Sequence, residues 1–152
     1  MKATPMTLDE IQDEIIEDFR RFRDGMEKYE YIIALGKEHP GMDDRWKTDE
    51  HSVPGCQATV WLRSERWDGR LHFWADSDSL INKGILALLL RVLNNQPPRE
   101  VAEADLYFIR KIGLSTQLSP TRKNGLAIIV REIKKQGRRW AEEDGEGLRS
   151  GT

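Results

Sequence analysis

The stretch from Leu80 to Leu93 constrains the fold most, because it is apolar on nearly every side of a helix. A helix at a protein surface keeps a polar face, so the sequence predicts that this helix is buried at the centre of the domain. Gly84 within it is predicted either to let another backbone approach closely or merely to cost about 1 kcal/mol relative to alanine. Gly125, further along the chain, is predicted to mark another close approach. The aliphatic residues of the stretch are Leu80, Ile81, Ile85, Leu86, Leu88, Leu89, Leu90, Val92 and Leu93.

Before this helix the sequence predicts a β-hairpin with strands at residues 57–65 and 70–75. Apolar residues alternate with polar or aromatic ones from residue 58 to 63, which is the period-2 pattern of a half-buried strand. Asp68-Gly69 is a strong signal for a two-residue hairpin turn. These features predict a small antiparallel sheet, to which a third strand could be added.

The rest of the chain is predicted to be mainly helical. Thr7 and Glu10 have the spacing of a capping box at the start of a first helix, and residues 29–35 predict a second. Gly25 is expected to weaken or end the first helix. Ser119, which is followed by a proline, predicts the start of the last helix.

Together these elements predict an α+β fold in which helices cover a small antiparallel sheet. At 152 residues the chain is long enough to fold as one domain without metals or disulfides, and we assign that domain to residues 1–140. Residues 141–152 lack an apolar pattern and are predicted to be a disordered tail.

The cysteine and histidine content argues against a metal site. A single cysteine, Cys56, can form neither an internal disulfide nor a multi-thiolate zinc or iron–sulfur site. The three histidines, His39, His51 and His72, show no paired ligand spacing, so we expect no metal in this chain. The sequence has no long apolar run and no signal-peptide pattern, which predicts a cytoplasmic protein with no membrane association.

The formal net charge of −2 argues against a nucleic-acid-binding protein, but the charges are unevenly distributed. Residues 1–55 carry 14 acids and 8 bases, whereas residues 120–140 carry seven bases and one acid. Two interpretations stay open: solvated helix faces, or a face that attracts a charged protein partner. Arg122 and Lys123 oppose the dipole of the predicted last helix, so helix stability does not explain their position.

The only cysteine stands in a Pro-Gly loop directly before the first strand. Pro54 fixes its own φ and Gly55 permits a backbone geometry that a side chain resists, so Cys56 lies at a constrained loop tip. A lone cysteine is often a small buried hydrophobe. A sulfur in such a loop is also more easily reached by a reagent or partner than one in a helix.

Two kinds of chemistry are open to this thiol. A cysteine hydrolase would pair Cys56 with a histidine base and with an orienting side chain such as Asp76, Asp78 or Asn82. Thiol–persulfide exchange needs no acid–base pair, only an accessible thiol whose pKa is lowered by its surroundings or by the partner. Thiol–persulfide exchange therefore requires fewer functional residues than hydrolysis does. Arg122 is a suitable cation for this exchange if the fold brings it close to the thiol.

Four motifs follow one another along the chain. They are Val53-Pro54-Gly55-Cys56-Gln57, then Val60-Trp61, then Ala75-Asp76-Ser77-Asp78 with Gly84 and Leu88, and finally Leu118-Ser119-Pro120-Thr121-Arg122-Lys123-Asn124-Gly125-Leu126. In this order they resemble the SufE-like sulfur-acceptor family, and the agreement in spacing extends from about Ile11 to Ile133.

The resemblance implies a fold like that of the iron–sulfur scaffold proteins and a role in sulfur transfer. Such proteins take a persulfide sulfur from a PLP-dependent cysteine desulfurase, stimulate that enzyme, and deliver the sulfur to an iron–sulfur cluster assembly scaffold. By position, Cys56 would be the persulfide carrier, supported by its neighbours Gly55 and Gln57. Arg122 would be the cation that steadies the thiolate or persulfide, and Asp78 would be part of the cap beneath the loop.

The resemblance also implies that PLP and the cluster belong to the partners, so that this chain needs no cofactor of its own. It would be an accessory protein more than a stand-alone enzyme, and a monomer or weak homodimer. A persulfide exposed to small thiols would be lost, so the carrier role predicts a sheltered thiol in the free protein.

Two positions depart from the family pattern. Gln117 stands where many relatives have a histidine, and Arg110 stands where some have an acid. If either residue helps to dock the desulfurase in those relatives, the choice of partner differs here.

Overall fold

A computed structural model describes the backbone of residues 6–150, and their side chains except at positions 115, 117 and 144–150. The strands β1 (Val60–Trp67) and β2 (Arg70–Ser77) form an antiparallel hairpin, and the predicted α+β class is confirmed. The α-helices are α1 (Leu8–Phe19), α2 (Gly25–Glu38), α3 (Leu80–Leu93), α4 (Pro98–Glu103), α5 (Phe108–Lys111), α6 (Leu114–Gln117) and α7 (Pro120–Ser150).

Helix α3 is buried at the centre of the domain, as its sequence predicts. It packs on α1, α2 and β2, and residues such as Leu86, Leu89 and Leu93 are fully buried. The close approach predicted at Gly84 is confirmed, because a Cβ placed there would lie 2.0 Å from the carbonyl oxygen of Ile32 in α2. Two helix backbones therefore touch at this crossing.

The prediction of a close approach at Gly125 is wrong. A Cβ placed on this residue would meet nothing within 4 Å. Gly125 lies in the first turns of α7, where its position on the helix leaves the space beside it open. The glycine pattern alone does not distinguish a buried crossing from such a site.

The hairpin turn follows the sequence signal closely. Asp68 and Gly69 both have positive φ, 54° and 71°, as a two-residue turn that matches the right-handed twist of the strands requires. Among residues 6–150 no third strand joins the sheet. Isolated bridges from Ser52 to Trp61 and from Gln96 to Leu71 cover its outer edges instead.

The strand β1 begins at Val60, three residues later than predicted, because residues 57–59 belong to the cysteine loop. Thr59 forms hydrogen bonds to the last residue of β2 and to the residue that follows β2. Its carbonyl accepts from the Ser77 hydroxyl at 2.7 Å, and its amide donates to the Asp78 carboxylate at 3.1 Å. These side-chain bonds replace the regular ladder at this end.

Gly25 begins α2, whereas its position in the sequence suggested that it would weaken or end α1. The first helix ends at Phe19, and Asp24 caps the second by accepting a hydrogen bond from the Glu27 amide at 3.0 Å. The capping box predicted at Thr7 and the N-cap predicted at Ser119 are both present.

Helix α7 continues to Ser150, where the sequence predicts a disordered tail from residue 141. Ala141, Glu142 and Glu143 favour helix, and extending an existing helix requires far less free energy than nucleating a new one. Residues 151 and 152 lie outside the described residues.

A buried carboxylate holds the segment that leads to the cysteine loop. Asp76 is 3% exposed, and its oxygens accept from the amides of Met42 and Ser77 at 3.2 and 2.8 Å. The ammonium groups of Lys47 and Lys83 lie 3.0 and 3.5 Å away. Burial acts to raise the pKa of Asp76, but the bonds from Lys47 and the two amides outweigh it, so the pKa lies below its usual value.

We expect Asp76→Asn to lower the free energy of unfolding by about 2 kcal/mol near neutral pH, because it leaves two lysines without their buried counter-charge. Because the pKa of Asp76 is lower in the folded protein, its ionised carboxylate stabilises the fold at pH values above the unfolded-state pKa near 3.8. This contribution is lost as the pH falls through the lower pKa of the folded state. Urea unfolding across this pH range measures both effects, and the difference between variant and wild type should shrink in acid.

Asp44→Asn is the matched control, since Asp44 also pairs with Lys47 but its side chain is 94% exposed. It should change stability by less than about 0.5 kcal/mol. Equal effects of the two substitutions would contradict the structural role of Asp76.

Candidate functional site

The cysteine loop connects a short 3-10 helix at Asp49–His51 to β1. The Val53 amide donates to the Val60 carbonyl at 2.8 Å and closes the base of the loop. Gly55 has a φ of +92°, in the region where a side chain is strained, and a Cβ there would lie 3.2 Å from Cδ1 of Ile128 in α7. The backbone of the loop tip is therefore fixed against the last helix.

Cys56 is half-buried at this tip and packs against the hydrophobic core. Its Sγ lies 3.8 Å from the Gly125 carbonyl oxygen, a weak S–H donor contact. Burial raises the pKa of the thiol above its ordinary value. In this state the sulfur is mainly a protonated thiol, and it has little of the thiolate character that nucleophilic attack requires.

A cavity of about 580 Å³ opens beside the thiol. It brings together four of the residues singled out in the sequence: Cys56, Gln57, Asp78 and Arg122. Gly55 is not among the lining residues, and its positive φ sets the shape of the loop. The other lining residues are Ala58, Ser79, Asn82, Ser119 and Thr121.

Two contacts position the charged residues of the cavity. Asp78 is exposed, and two hydrogen bonds join it to Thr59. Its carboxylate accepts from the Thr59 amide, and its own amide donates to the Thr59 carbonyl at 3.3 Å. Nη1 of Arg122 donates to the Ser79 hydroxyl at 3.3 Å. The loop is thus fastened at its end near β1, and the guanidinium is held at the rim of the cavity.

The cavity is electropositive on the side of the helices. Ser79 caps α3 and Ser119 caps α7, so the first turns of both helices line the space together with Arg122. Helix N-termini carry a partial positive charge and favour anions. This side of the cavity therefore favours an anionic group, while the Asp78 carboxylate is part of the same lining.

We expect Cys56 in the native protein to react with iodoacetamide about tenfold more slowly than in the urea-unfolded chain at the same pH, because burial limits access and raises the thiol pKa. The alkylation rate should also begin to rise at a higher pH than the alkylation rate of free cysteine. Timed alkylation with mass detection measures both. A native rate equal to that of free cysteine would contradict the sheltered thiol.

The histidines are not placed to act as a base for this thiol. All three lie within the described residues, and none lines the cavity beside Cys56. His39 bonds to the Ala75 carbonyl, His51 bonds to Thr48, and His72 stacks on Trp67. A cysteine hydrolase therefore lacks its essential pair in this geometry.

Five residues of the cavity lining have no predicted site role in sulfur transfer: Ala58, Ser79, Asn82, Ser119 and Thr121. Of these, Asn82 is a candidate only as the orienting side chain of a hydrolase. The sequence around Ser79 shows no sign of its contact with Arg122, because that partner lies 43 residues away. Of the two departures from the family pattern, Arg110 is exposed on α5 and does not line the cavity. Gln117 ends α6, and its side chain lies outside the described residues.

The described part of the chain shows neither a metal cluster nor a membrane span. In it, no group of three or more histidine, cysteine, aspartate or glutamate side chains is arranged to hold a metal ion. None of its helices combines the length and apolar character needed to span a membrane.

Comparison with known proteins identifies the family. The sequence model described as "SufE: Fe-S metabolism associated domain" matches residues 13–137. The chain belongs to the SufE family. An uncharacterized SufE-like protein of Rhizobium etli is 35% identical over 131 residues, which cover 83% of this chain and 88% of that protein.

Two other SufE-like proteins show a similar degree of identity. An uncharacterized relative from Synechocystis is 33% identical over 79% of this chain and 76% of its own length. SufE-like protein 1 of Arabidopsis thaliana, named as chloroplastic/mitochondrial, is 35% identical over 81% of this chain but only 33% of that protein. The shared region is thus one SufE domain.

The fold itself recurs in a solved structure. A hypothetical protein from Thermus thermophilus, solved in solution, superposes with a TM-score of 0.70 at 18% sequence identity. The match covers 85% of this chain and 94% of that one. The SufE domain described here and that protein therefore share their architecture.

Proposed function

We propose that this protein is a sulfur carrier whose Cys56 accepts a persulfide sulfur from a PLP-dependent cysteine desulfurase and passes it to an iron–sulfur cluster assembly scaffold. The observation that carries the proposal is the position of the only thiol of the chain. It stands half-buried in a fixed loop, beside a cavity lined by Arg122 and two helix N-termini. Membership of a family associated with Fe-S metabolism supports the same role.

The transfer step conserves sulfur oxidation state and needs no external oxidant. The Cys56 thiolate attacks the outer sulfur of the donor persulfide, so that a new S–S bond forms on Cys56 while the donor S–S bond breaks. The donor cysteine leaves as a thiolate and takes up the proton that Cys56 released. Delivery to the scaffold repeats the exchange in the opposite sense, with Cys56 as the leaving thiolate.

The cavity residues have distinct parts in this proposal. Arg122 stabilises the anionic sulfur, both as the attacking thiolate and as the persulfide, because a guanidinium and an anion attract strongly where water is partly excluded. Asp78 holds the base of the loop through Thr59. Gly55 and Gln57 shape the tip on either side of the thiol. We propose that contact with the desulfurase turns the thiol from the Gly125 carbonyl into the cavity.

This rearrangement explains how a thiol with a raised pKa can be a nucleophile. In the free protein the sulfur is protonated and protected from small thiols. Once it faces Arg122 and the N-termini of α3 and α7, its thiolate form becomes favourable. Stimulation of the desulfurase follows, because removal of its persulfide frees it for the next turnover.

The other parts of the proposal concern the setting. PLP belongs to the desulfurase and the cluster to the scaffold, while this chain supplies only the thiol and its surroundings. We propose that it acts in the cytoplasm as a monomer or weak homodimer, without contact to nucleic acid or membrane.

Intact mass spectrometry tests the function directly. After incubation with a PLP-dependent cysteine desulfurase and L-cysteine, the protein should gain about 32 Da, the mass of one sulfur, and reduction should remove it. Peptide mapping should place the added sulfur on Cys56. An unchanged mass, with a desulfurase that is active on cysteine, would overturn the proposal.

A further inference from the structure

Helix α7 carries five exposed bases, and one of them, Arg139, lines a pocket together with Glu50, Glu65, Glu132 and Glu143. Over residues 123–139 its exposed charged side chains are all basic. None of these bases forms an ion pair with any other described residue. We call this surface the basic ridge; it consists of Lys123, Arg131, Lys135, Arg138 and Arg139.

The stability of the helix does not account for the ridge. Lys123 lies in the first turn, where a cation opposes the helix dipole. Arg131, Lys135 and Arg138 follow at spacings of four and three residues, which place like charges side by side and cost helix stability. The only acid of this part, Glu132, is half-buried and accepts a hydrogen bond from Gln136 at 3.4 Å.

The ridge is continuous with the cysteine site. Its helix contacts the thiol through the Gly125 carbonyl, and Ile128 lies beside the Gly55 backbone. At about 1.5 Å per residue, the segment from Lys123 to Arg139 is about 24 Å long, comparable to one side of a protein interface. A partner that reaches Cys56 therefore comes within range of the bases.

The charges elsewhere favour one orientation of approach. Residues 1–55 carry 14 acids and 8 bases, and α1 exposes Asp9, Glu10, Asp13 and Glu14. A partner with an acidic surface is repelled by that segment and attracted by α7, so its approach to α7, which contacts the thiol, is favoured. The overall net charge of −2 makes nucleic acid the weaker candidate, since its phosphates would meet the same repulsion.

We infer that the basic ridge is a docking surface for an acidic patch on the protein that exchanges sulfur with Cys56, which in the proposed function is the cysteine desulfurase. The inference rests on that function for the identity of the partner. The ridge acts mainly on the rate of encounter, and its effect weakens as salt screens the charges.

The test reverses two adjacent charges of the ridge. Arg131→Glu combined with Lys135→Glu should lower the second-order rate constant of sulfur transfer from the desulfurase about tenfold at low ionic strength. Raising the salt concentration to about 0.5 M should slow the wild type and leave the variant nearly unchanged. Binding to the desulfurase without cysteine, measured by calorimetry, should weaken in parallel.

A control variant changes the net charge by the same amount away from the ridge. Lys37→Glu combined with Lys111→Glu alters two exposed lysines, on α2 and α5, that form no ion pair with other described residues. It should transfer sulfur within about twofold of the wild type. Equal rates for the two double variants would overturn the docking surface. The proposed function would stand in that case, provided that the wild type still accepts sulfur.

The remaining outcomes separate the two proposals. If the wild type binds the desulfurase through the ridge but gains no sulfur, the docking surface stands and the proposed function fails. If the wild type neither binds nor gains sulfur, both fail. If the ridge variant instead loses binding to a short DNA duplex and transfers sulfur at the normal rate, the ridge is a nucleic-acid surface and the inference is overturned.

Discussion

Replacing Cys56 with serine is expected to abolish sulfur acceptance, with no gain of about 32 Da after incubation with a PLP-dependent cysteine desulfurase and L-cysteine. Cys56 is the only thiol in the chain, so no second residue can take its place. A serine hydroxyl is not ionised near neutral pH and is a poor nucleophile toward sulfur. Stimulation of the desulfurase should disappear together with the mass gain.

The fold should survive this substitution, which makes the loss of transfer interpretable. The sulfur is half-buried and makes one weak polar contact, 3.8 Å to Gly125. We therefore expect the free energy of unfolding to change by less than about 1 kcal/mol. Ala58→Ser is the matched control, because it introduces the same residue into the same cavity wall. It should leave sulfur transfer intact, and residual transfer in Cys56→Ser would contradict the carrier role.

The parts of the fold that could be predicted from sequence are those with a local physical cause. The apolar run of α3 can lie only in the interior, and Asp68-Gly69 can adopt the two positive φ values of the hairpin turn. The Pro-Gly loop likewise predicts that Cys56 lies at a constrained tip, and Gly55 has the positive φ that a glycine permits there. In each case neighbouring residues alone determine the backbone.

The surroundings of the thiol depend on contacts between distant segments, which sequence patterns do not contain. The bond from Arg122 to Ser79 spans 43 residues, and the contact from Cys56 to Gly125 spans 69. The predicted start of β1 at residue 57 is wrong for the same reason, because Thr59 is held by side chains 18 and 19 residues away. Only the family resemblance indicated that Arg122 would be close to the thiol.

Gly84→Ala is expected to destabilise the protein by about 3 kcal/mol, the largest stability effect that we predict. The new Cβ would lie 2.0 Å from the Ile32 carbonyl oxygen, and that oxygen belongs to the backbone of α2 and cannot rotate away. Alanine gains about 1 kcal/mol over glycine in a helix, but a contact this short forces the two helices apart. Urea unfolding measures the net change.

Gly125→Ala separates this clash from the helix preference, because it makes the same chemical change in a helix where nothing lies within 4 Å of the new Cβ. It should stabilise the protein by up to about 1 kcal/mol, opposite in sign to Gly84→Ala. Two stabilised variants would mean that α2 and α3 are not in backbone contact.

The substitution Gly84→Ala should also slow sulfur transfer, because Ser79 at the start of α3 holds Arg122 and a displaced α3 would move both residues. A purely global loss of stability would instead leave the transfer rate of the folded molecules unchanged.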